Sequence, residues 1–168
     1  MIWYASVPLT LLIALLQIGA APSFSFFGVH PDLIVIWLCC WGVIRGRQET
    51  MALIPIAGLV IGLAGGEPLG ASLLALLPVA ALAAVVEASP ARGRFLAAIA
   101  ITGICSILYT FIHAGASLAG GEGLGPPLNL VLVAPRAAAL DLITAVLWFW
   151  PLRLAFGRRA RAGSFRRI

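Results

Sequence analysis

Long apolar runs alternate with short polar stretches along the whole chain. A helix needs about 20 predominantly apolar residues to cross the hydrocarbon core of a membrane. Runs of that length or somewhat shorter occur at residues 3–21, 31–44, 50–65, 69–88, 95–118 and 136–156. The pattern predicts an all-α integral membrane protein, a bundle of six transmembrane helices with short loops. Residues 157–168 follow the last span as a basic tail.

The second run, residues 31–44, is the shortest and has the most distinctive boundaries. It follows Gly28-Val29-His30-Pro31-Asp32 and stops at Arg45-Gly46-Arg47. Proline and an acidic side chain suit the first turn of a helix, so we interpret Asp32 as a capping residue. Because the run is short, either its helix starts earlier, near Phe26, or the turn before it dips into the membrane.

The arginines assign the two sides of the membrane. When six spans alternate, ten of the eleven basic residues fall on one side and Arg136 alone falls on the other. The ten are Arg45, Arg47, Arg92, Arg94, Arg153, Arg158, Arg159, Arg161, Arg166 and Arg167. Basic residues are enriched in cytoplasmic loops, so both termini are predicted to be cytoplasmic. The last five are predicted to contact an anionic leaflet or an acidic surface of a cytoplasmic partner.

The composition excludes an ordinary soluble domain. The 168 residues are 62% hydrophobic and 10% charged, whereas soluble domains carry about 25% charged residues. The net charge of +5 comes from arginines between or after apolar runs, so topology explains it better than nucleic acid binding. Cys39, Cys40 and Cys105 lie in apolar runs, and we interpret them as core residues rather than disulfide partners.

Polar side chains within the spans are candidates for function or for packing. We expect Gln17 to make a packing hydrogen bond with another helix. Asp141 is interpreted as an acid satisfied by a neighbouring helix, with a ligand or proton role as the alternative. His113 is placed to reach Asp141 if the last two spans are adjacent. Glu87 is expected to meet Arg92 or Arg94.

Small residues and prolines indicate how the spans pack. Gly58 and Gly62 are four positions apart, a pattern that lets another helix approach closely. Pro55 is expected to kink its span, and Pro78 to interrupt the next one. Residues 126–135 are predicted to be an interfacial or re-entrant segment before the last span. Trp37 and Trp41 share a helix face.

The sequence contains no nucleophile arrangement, metal-ligand spacing or phosphate-binding glycine loop. We therefore expect a protein that is not an enzyme and that carries neither a cofactor nor a metal.

The order of motifs resembles that of the MreD family, small polytopic proteins of the bacterial rod-shape machinery. The resemblance is specific over residues 15–70. It consists of Leu15-Leu16-Gln17, the stretch from Gly28 to Leu33, Arg45-Gly46, the glycine-rich stretch from Gly58 to Leu63, and Gly70. Beyond residue 70 it is carried by length, span count and the basic C-terminus. The family often has an acidic residue after the glycine-rich stretch, where this chain has Gly65-Gly66.

The resemblance implies a non-catalytic membrane scaffold of cell-wall elongation in the bacterial cytoplasmic membrane. MreD-like proteins associate with MreC and belong to a complex with RodA, its transpeptidase partner and MreB. Residues expected to contact a partner's helix are then Gly28, Pro31, Asp32, Gly58 and Gly62.

A small-molecule-binding membrane subunit, of the energy-coupling-factor S-component type, is the alternative. The length of this chain and its six predicted spans fit that class of protein. Such proteins often carry alanines four apart in the first span, whereas here the nearest pairs are Ala71 with Ala75 and Ala80 with Ala84. Few polar residues are available for a ligand pocket. An accessory helix bundle of some other membrane complex is a third possibility.

Overall fold

The fold is known from a computed structural model that describes residues 3–19, 29–65, 70–87, 94–119 and 127–156. All regular elements in these ranges are helices, and there are six. They are α1 (Trp3–Gly19), α2 (Leu33–Arg45), α3 (Arg47–Gly65), α4 (Ala71–Glu87), α5 (Arg94–Ala119) and α6 (Pro127–Phe156). The all-helical fold is thus confirmed, with each predicted apolar run falling on one helix.

The short second helix is the centre of the bundle. Every residue of α2 from Ile34 to Ile44 is buried. It packs against α1, α3, α4, α5 and α6, while α3 with α4, α4 with α5, and α5 with α6 form successive neighbouring pairs. A helix that is apolar on all sides is typical of a protein core or of a membrane span, and α2 lies in the core of this bundle.

The outer helices turn bulky apolar side chains away from this centre. Leu96, Leu147 and Leu63 are 71%, 67% and 63% exposed. Three helical stretches in the described part are long and apolar enough to cross a membrane: Arg47–Gly65, Phe95–Ala116 and Val133–Phe156. Three shorter apolar helices accompany them: Tyr4–Gly19, Leu33–Arg45 and Ala71–Glu87. An exterior this apolar suits a lipid environment rather than water.

The last helix corrects a boundary prediction. Residues 127–135 are not a separate re-entrant segment, because α6 is continuous from Pro127 to Phe156 and contains Pro135. The separate segment was predicted because residues 129–135 are an apolar but short run. In the structure Arg136, which follows that run, is exposed and lies within the helix. Pro78 likewise lies inside a continuous α4 and does not interrupt it.

Candidate functional site: a polar junction at the start of α2

Side chains from three helices meet the backbone where α2 begins. We call this cluster the polar junction. It consists of Gln17 of α1, Asp32 and the Leu33 amide at the start of α2, Ser106 of α5 and Asp141 of α6. Of these side chains, Ser106 and Asp141 are fully buried, whereas Gln17 and Asp32 are half-buried.

Asp141 links α6 to both α2 and α5. Its Oδ1 accepts a hydrogen bond of 2.8 Å from the backbone N–H of Asp32. Its Oδ2 accepts a bond of 2.6 Å from the hydroxyl of Ser106. Bonds to a carboxylate are stronger than bonds between neutral groups, and a buried carboxyl needs them. One side chain therefore ties three helices together.

Gln17 links α1 to the same point. Its Nε2 donates to Oδ1 of Asp32 at 3.0 Å, and its Oε1 accepts from the backbone N–H of Leu33 at 2.7 Å. Both ends of the amide are thus used. The expected interhelical packing bond of Gln17 is confirmed.

Helix geometry explains why the junction is needed. The first backbone N–H groups of a helix have no partner within the helix, and those of Asp32 and Leu33 are satisfied here by Asp141 and Gln17. A carboxylate at this end also suits the positive pole of the helix dipole. The acid in α6 and the amide in α1 are therefore caps for a helix that lies elsewhere in the chain.

The prediction for Asp32 was wrong in its mechanism. Asp32 occupies the N-cap position, but its side chain makes no capping hydrogen bond to α2. Instead its carboxylate accepts from Gln17. Conversely, the interpretation of Asp141 as an acid satisfied by a neighbouring helix is confirmed by its bond with Ser106.

His113 lies on the same helix as Ser106 but seven residues further along. Its ring contacts the ring of Tyr109 edge-on, with centroids 5.9 Å apart. Seven residues correspond to about 10 Å of helix. The sequence indicated His113 as the neighbour of Asp141 on α5. The actual neighbour is Ser106, whose hydroxyl lies at the height of Asp141.

The junction lies far from the arginine end of the bundle, which we define as Arg45, Gly46, Arg47, Glu49 and Glu87. At 1.5 Å per residue, α2 rises about 18 Å from Arg45 to Leu33, and α5 about 18 Å from Arg94 to Ser106. Beyond that height α5 continues to Ala119 and α6 reaches Pro127. Each adds about 20 Å. The helix α2 therefore stops roughly halfway up its two longest neighbours.

The arginine end is held by contacts local in sequence and by one contact from α4. Arg45 forms a two-point ion pair with Glu49, one turn along, with its shorter N–O distance at 2.8 Å. Gly46 has φ +96°, which favours glycine, and lets the chain turn from α2 into α3. Glu87, at the end of α4, accepts from the backbone N–H of Arg47 at 3.2 Å. Its expected partners, Arg92 and the side chain of Arg94, lie outside the described atoms.

An aromatic cluster fills the centre between these ends. The rings of Trp37 and Trp41 lie 4.9 Å apart, which confirms that they share a face. Trp37 donates from Nε1 to Oγ1 of Thr10 at 2.9 Å, and Thr10 in turn donates to the Ser6 carbonyl. Phe156 packs edge-on against Trp41 at 5.0 Å. This cluster joins α1, α2 and α6 in the core.

The glycines of α3 are used inside the bundle. A methyl group at Gly58 would lie 3.0 Å from Cα of Leu73, so α4 packs directly on this position. Gly62 is buried as well. The close approach that the spacing indicated does occur, but the helix involved belongs to the same chain. Gly58 and Gly62 are thus buried within this chain, and their predicted contact with a partner's helix stays a prediction.

Other predicted contact residues have different outcomes. Pro31 and Asp32 are half-buried beside the junction. Gly28 lies outside the described residues, as do the tail positions Arg158, Arg159, Arg161, Arg166 and Arg167. Cys39, Cys40 and Cys105 are free and buried, as interpreted. Among the described residues, no group of three or more His, Cys, Asp and Glu side chains is placed to hold a metal ion.

Comparisons with known proteins add no further identification. Set against models of protein families, against curated proteins and against solved structures, the chain gives no match.

Proposed function

We propose that the protein is a non-catalytic membrane scaffold of the MreD type. In this role it binds MreC in the bacterial cytoplasmic membrane and helps to organise the peptidoglycan synthases of cell-wall elongation. The further members of the complex are RodA, its transpeptidase partner and MreB. The proposal rests first on the resemblance over residues 15–70.

The observation that carries the proposal is that the residues of the resemblance make contacts between helices. Gln17, Asp32 and Leu33 bond with one another and with Asp141. Gly58 gives α3 its contact with α4. Arg45 and Gly46 close the turn into α3. These residues set the relative positions of the helices, which is the property that a scaffold requires.

The proposed topology has six spans and two cytoplasmic termini. The arginine end, with Arg45, Arg47 and the start of α5 at Arg94, is the cytoplasmic side under the positive-inside rule. Successive pairing of α3, α4, α5 and α6 supports an alternating path. The polar junction then faces the outer half of the bilayer.

Partner contact is also proposed for the outer apolar faces. The most exposed of the three long stretches is that of α6, where Ile143, Leu147 and Trp150 are 62%, 67% and 59% exposed. Transmembrane helices associate by packing and by interhelical hydrogen bonds, so a single-span partner needs such an outward face. Pro31 and Asp32, at the half-buried edge of the junction, remain predicted contacts.

The S-component alternative receives less support. Ala71, Ala75 and Ala80 of α4 are all buried within the bundle, so they offer no docking surface to an energising subunit. The described polar side chains at the start of α2 bond with one another rather than converge on an open pocket.

Co-purification in mild detergent tests the proposal. The tagged chain is expressed with MreC from the same genome, and recovered MreC is quantified against a tagged polytopic membrane protein of unrelated function. We expect MreC to be enriched only with this chain. Equal recovery with both baits would contradict the scaffold proposal, and co-purification of an ATPase module or a retained vitamin-sized ligand would favour the transporter subunit.

A further inference from the structure

The two longest helices, α5 and α6, pack side by side in opposite directions, and two contacts define their register. Near the arginine end, the ring of Phe95 lies 5.4 Å from the ring of Phe149. Further along α5, the hydroxyl of Ser106 bonds with Asp141 of α6 at 2.6 Å. Each residue of α5 can therefore be matched with a residue of α6 at the same height.

Arginines mark two levels on this pair. With equal rise along both helices, the register of the Ser106 contact brings Arg94 level with Arg153, and Phe111 level with Arg136. Arg136 and Arg153 are both exposed. The two levels are about 25 Å apart. A hydrocarbon core is about 30 Å thick, and the long side chain of arginine extends its charged group toward the headgroups.

The surface between these levels is suited to lipid tails. All exposed side chains of α5 and α6 in this stretch are apolar, among them Ile104, Ile143 and Trp150, at 48%, 62% and 59% exposed. Its one charged residue, Asp141, is buried. Tryptophan is enriched at membrane interfaces, and Trp150 lies one turn from Arg153. An exposed arginine avoids hydrocarbon, so Arg153 and its counterpart on the outer side mark the edges of this apolar band.

Both helices continue beyond the outer level. The helix α5 runs on for eight residues after Phe111, and α6 begins nine residues before Arg136. Each extension is about 12–14 Å long. The extensions keep buried positions at matching heights, since Ala114 of α5 and Ala134 of α6 are 7% and 2% exposed. The helical pair is therefore longer than its apolar band.

From this register we infer that the outer phospholipid headgroups contact α6 at Arg136 and that the ends of α5 and α6 beyond it stand outside the hydrocarbon core. We call these ends, residues 112–119 and 127–135, the outer projection. The guanidinium of Arg136 complements a lipid phosphate in charge and in hydrogen-bonding geometry. The inference rests on the orientation given under the proposed function, but not on the identity of any partner.

Cysteine labelling tests the level of Arg136. Leu118→Cys, on the outer projection, is compared with Ile104→Cys, which lies midway along the apolar band of the same helix. The two positions are 58% and 48% exposed. A charged, membrane-impermeant maleimide is added to right-side-out vesicles. The reactive form of a thiol is the thiolate, which is disfavoured in hydrocarbon. The unmodified chain gives the background, because its described cysteines are buried: Cys39, Cys40 and Cys105.

We expect L118C to react from outside at least about tenfold faster than I104C. Gly115→Cys, on the same projection and with no atom within 4 Å of an added Cβ, should also react at least about tenfold faster than I104C. Ala139→Cys is exposed three residues to the other side of Arg136 and should react as slowly as I104C.

If L118C or G115C reacts no faster than I104C, the hydrocarbon core extends past Arg136 and the inference is wrong. Fast labelling of A139C, or labelling of L118C only from the cytoplasmic side, would overturn it as well. Each variant is first checked for the elution volume of the unmodified chain in detergent. Absence of MreC in co-purification would leave these rates unchanged, so the two proposals fail separately.

Discussion

The two ends of α2 are completed in opposite ways. At the arginine end, α2 itself is completed by residues close in sequence: Arg45 pairs with Glu49, and Gly46 supplies the turn. The long-range bond of Glu87 at this end is made to the start of α3, at the Arg47 N–H. At the polar junction, the backbone of Asp32 and Leu33 is satisfied by Asp141, 109 residues away from Asp32, and by Gln17 of α1.

In the proposed topology, the difference follows from the surroundings of each end. An end at the membrane surface is completed by a local turn and by water. An end within the bilayer has no water to satisfy its backbone groups, so protein side chains must reach it. The comparison therefore predicts that substitutions at the polar junction destabilise the protein more than substitutions at the arginine end.

The largest effect is expected for Asp141→Ala. It leaves the Asp32 N–H and the Ser106 hydroxyl without their acceptor, and each unsatisfied buried group costs about 1–3 kcal/mol. We expect a loss of about 2–5 kcal/mol in the free energy of unfolding, measured by titration with SDS in mixed micelles. Ile143→Ala, an exposed position on the same helix, is the control and should change stability by less than about 0.5 kcal/mol. Equal losses for both variants would remove the basis of the comparison.

A smaller loss is expected for Gln17→Leu. The leucine fills a similar volume but removes the donor to Asp32 and the acceptor for the Leu33 N–H. We expect a loss of about 1–3 kcal/mol in the same unfolding measurement. Gln48→Leu is the matched control, since Gln48 is exposed near the arginine end. If Q48L is as damaging as Q17L, the amide at the junction has no special role.

At the arginine end, Gly46→Ala tests the turn. A side chain at φ +96° and ψ 173° lies in a backbone region that is essentially restricted to glycine and costs on the order of 1–3 kcal/mol, so thermal stability in detergent should fall accordingly. Gly115→Ala is the control, because it is helical, exposed and has no atom within 4 Å of the added methyl group. There alanine should be neutral or stabilising by up to about 1 kcal/mol. If Gly46→Ala lost more stability than Asp141→Ala, the arginine end would matter more than the polar junction, contrary to the comparison.

The smallest effect is expected for Glu49→Ala. Its ion pair with Arg45 is a partly exposed contact between residues one turn apart, and such pairs contribute about 0.3–0.5 kcal/mol. The loss should shrink further when the ionic strength is raised from about 0.1 M to 1 M, because salt screens accessible charges. A loss above about 2 kcal/mol would indicate that this end is also held by a buried contact.

The sequence predicted the parts of the fold that depend on local patterns. Apolar runs located the six helices of the described residues, Arg45 and Arg47 marked the end of α2, and Trp37 and Trp41 were placed on one face. The spacing of Gly58 and Gly62 indicated a close helix contact. It carried no information on whether α4 or another protein would occupy that face.

The polar junction was predictable only in part. Gln17 and Asp141 stood out as polar residues in apolar runs, but which groups they would meet depends on how distant helices pack. Asp32 had the residue type and position of a local cap, and nothing near it in sequence revealed that α1 and α6 provide the caps instead. The short length of α2 was the signal in the sequence for these distant caps. A helix too short to cross a membrane has one end within the bilayer, where only protein groups can pair with its backbone N–H groups.

A double-mutant cycle between Gln17→Leu and Asp141→Asn tests most directly whether one shared junction holds the start of α2. Asparagine retains the shape of Asp141 and one acceptor oxygen, so the double variant should still fold. Residues in one hydrogen-bond network show coupling of about 0.5–3 kcal/mol, and we expect at least about 1 kcal/mol here. Losses that add within about 0.3 kcal/mol would show that the two side chains act independently, contrary to the structure described.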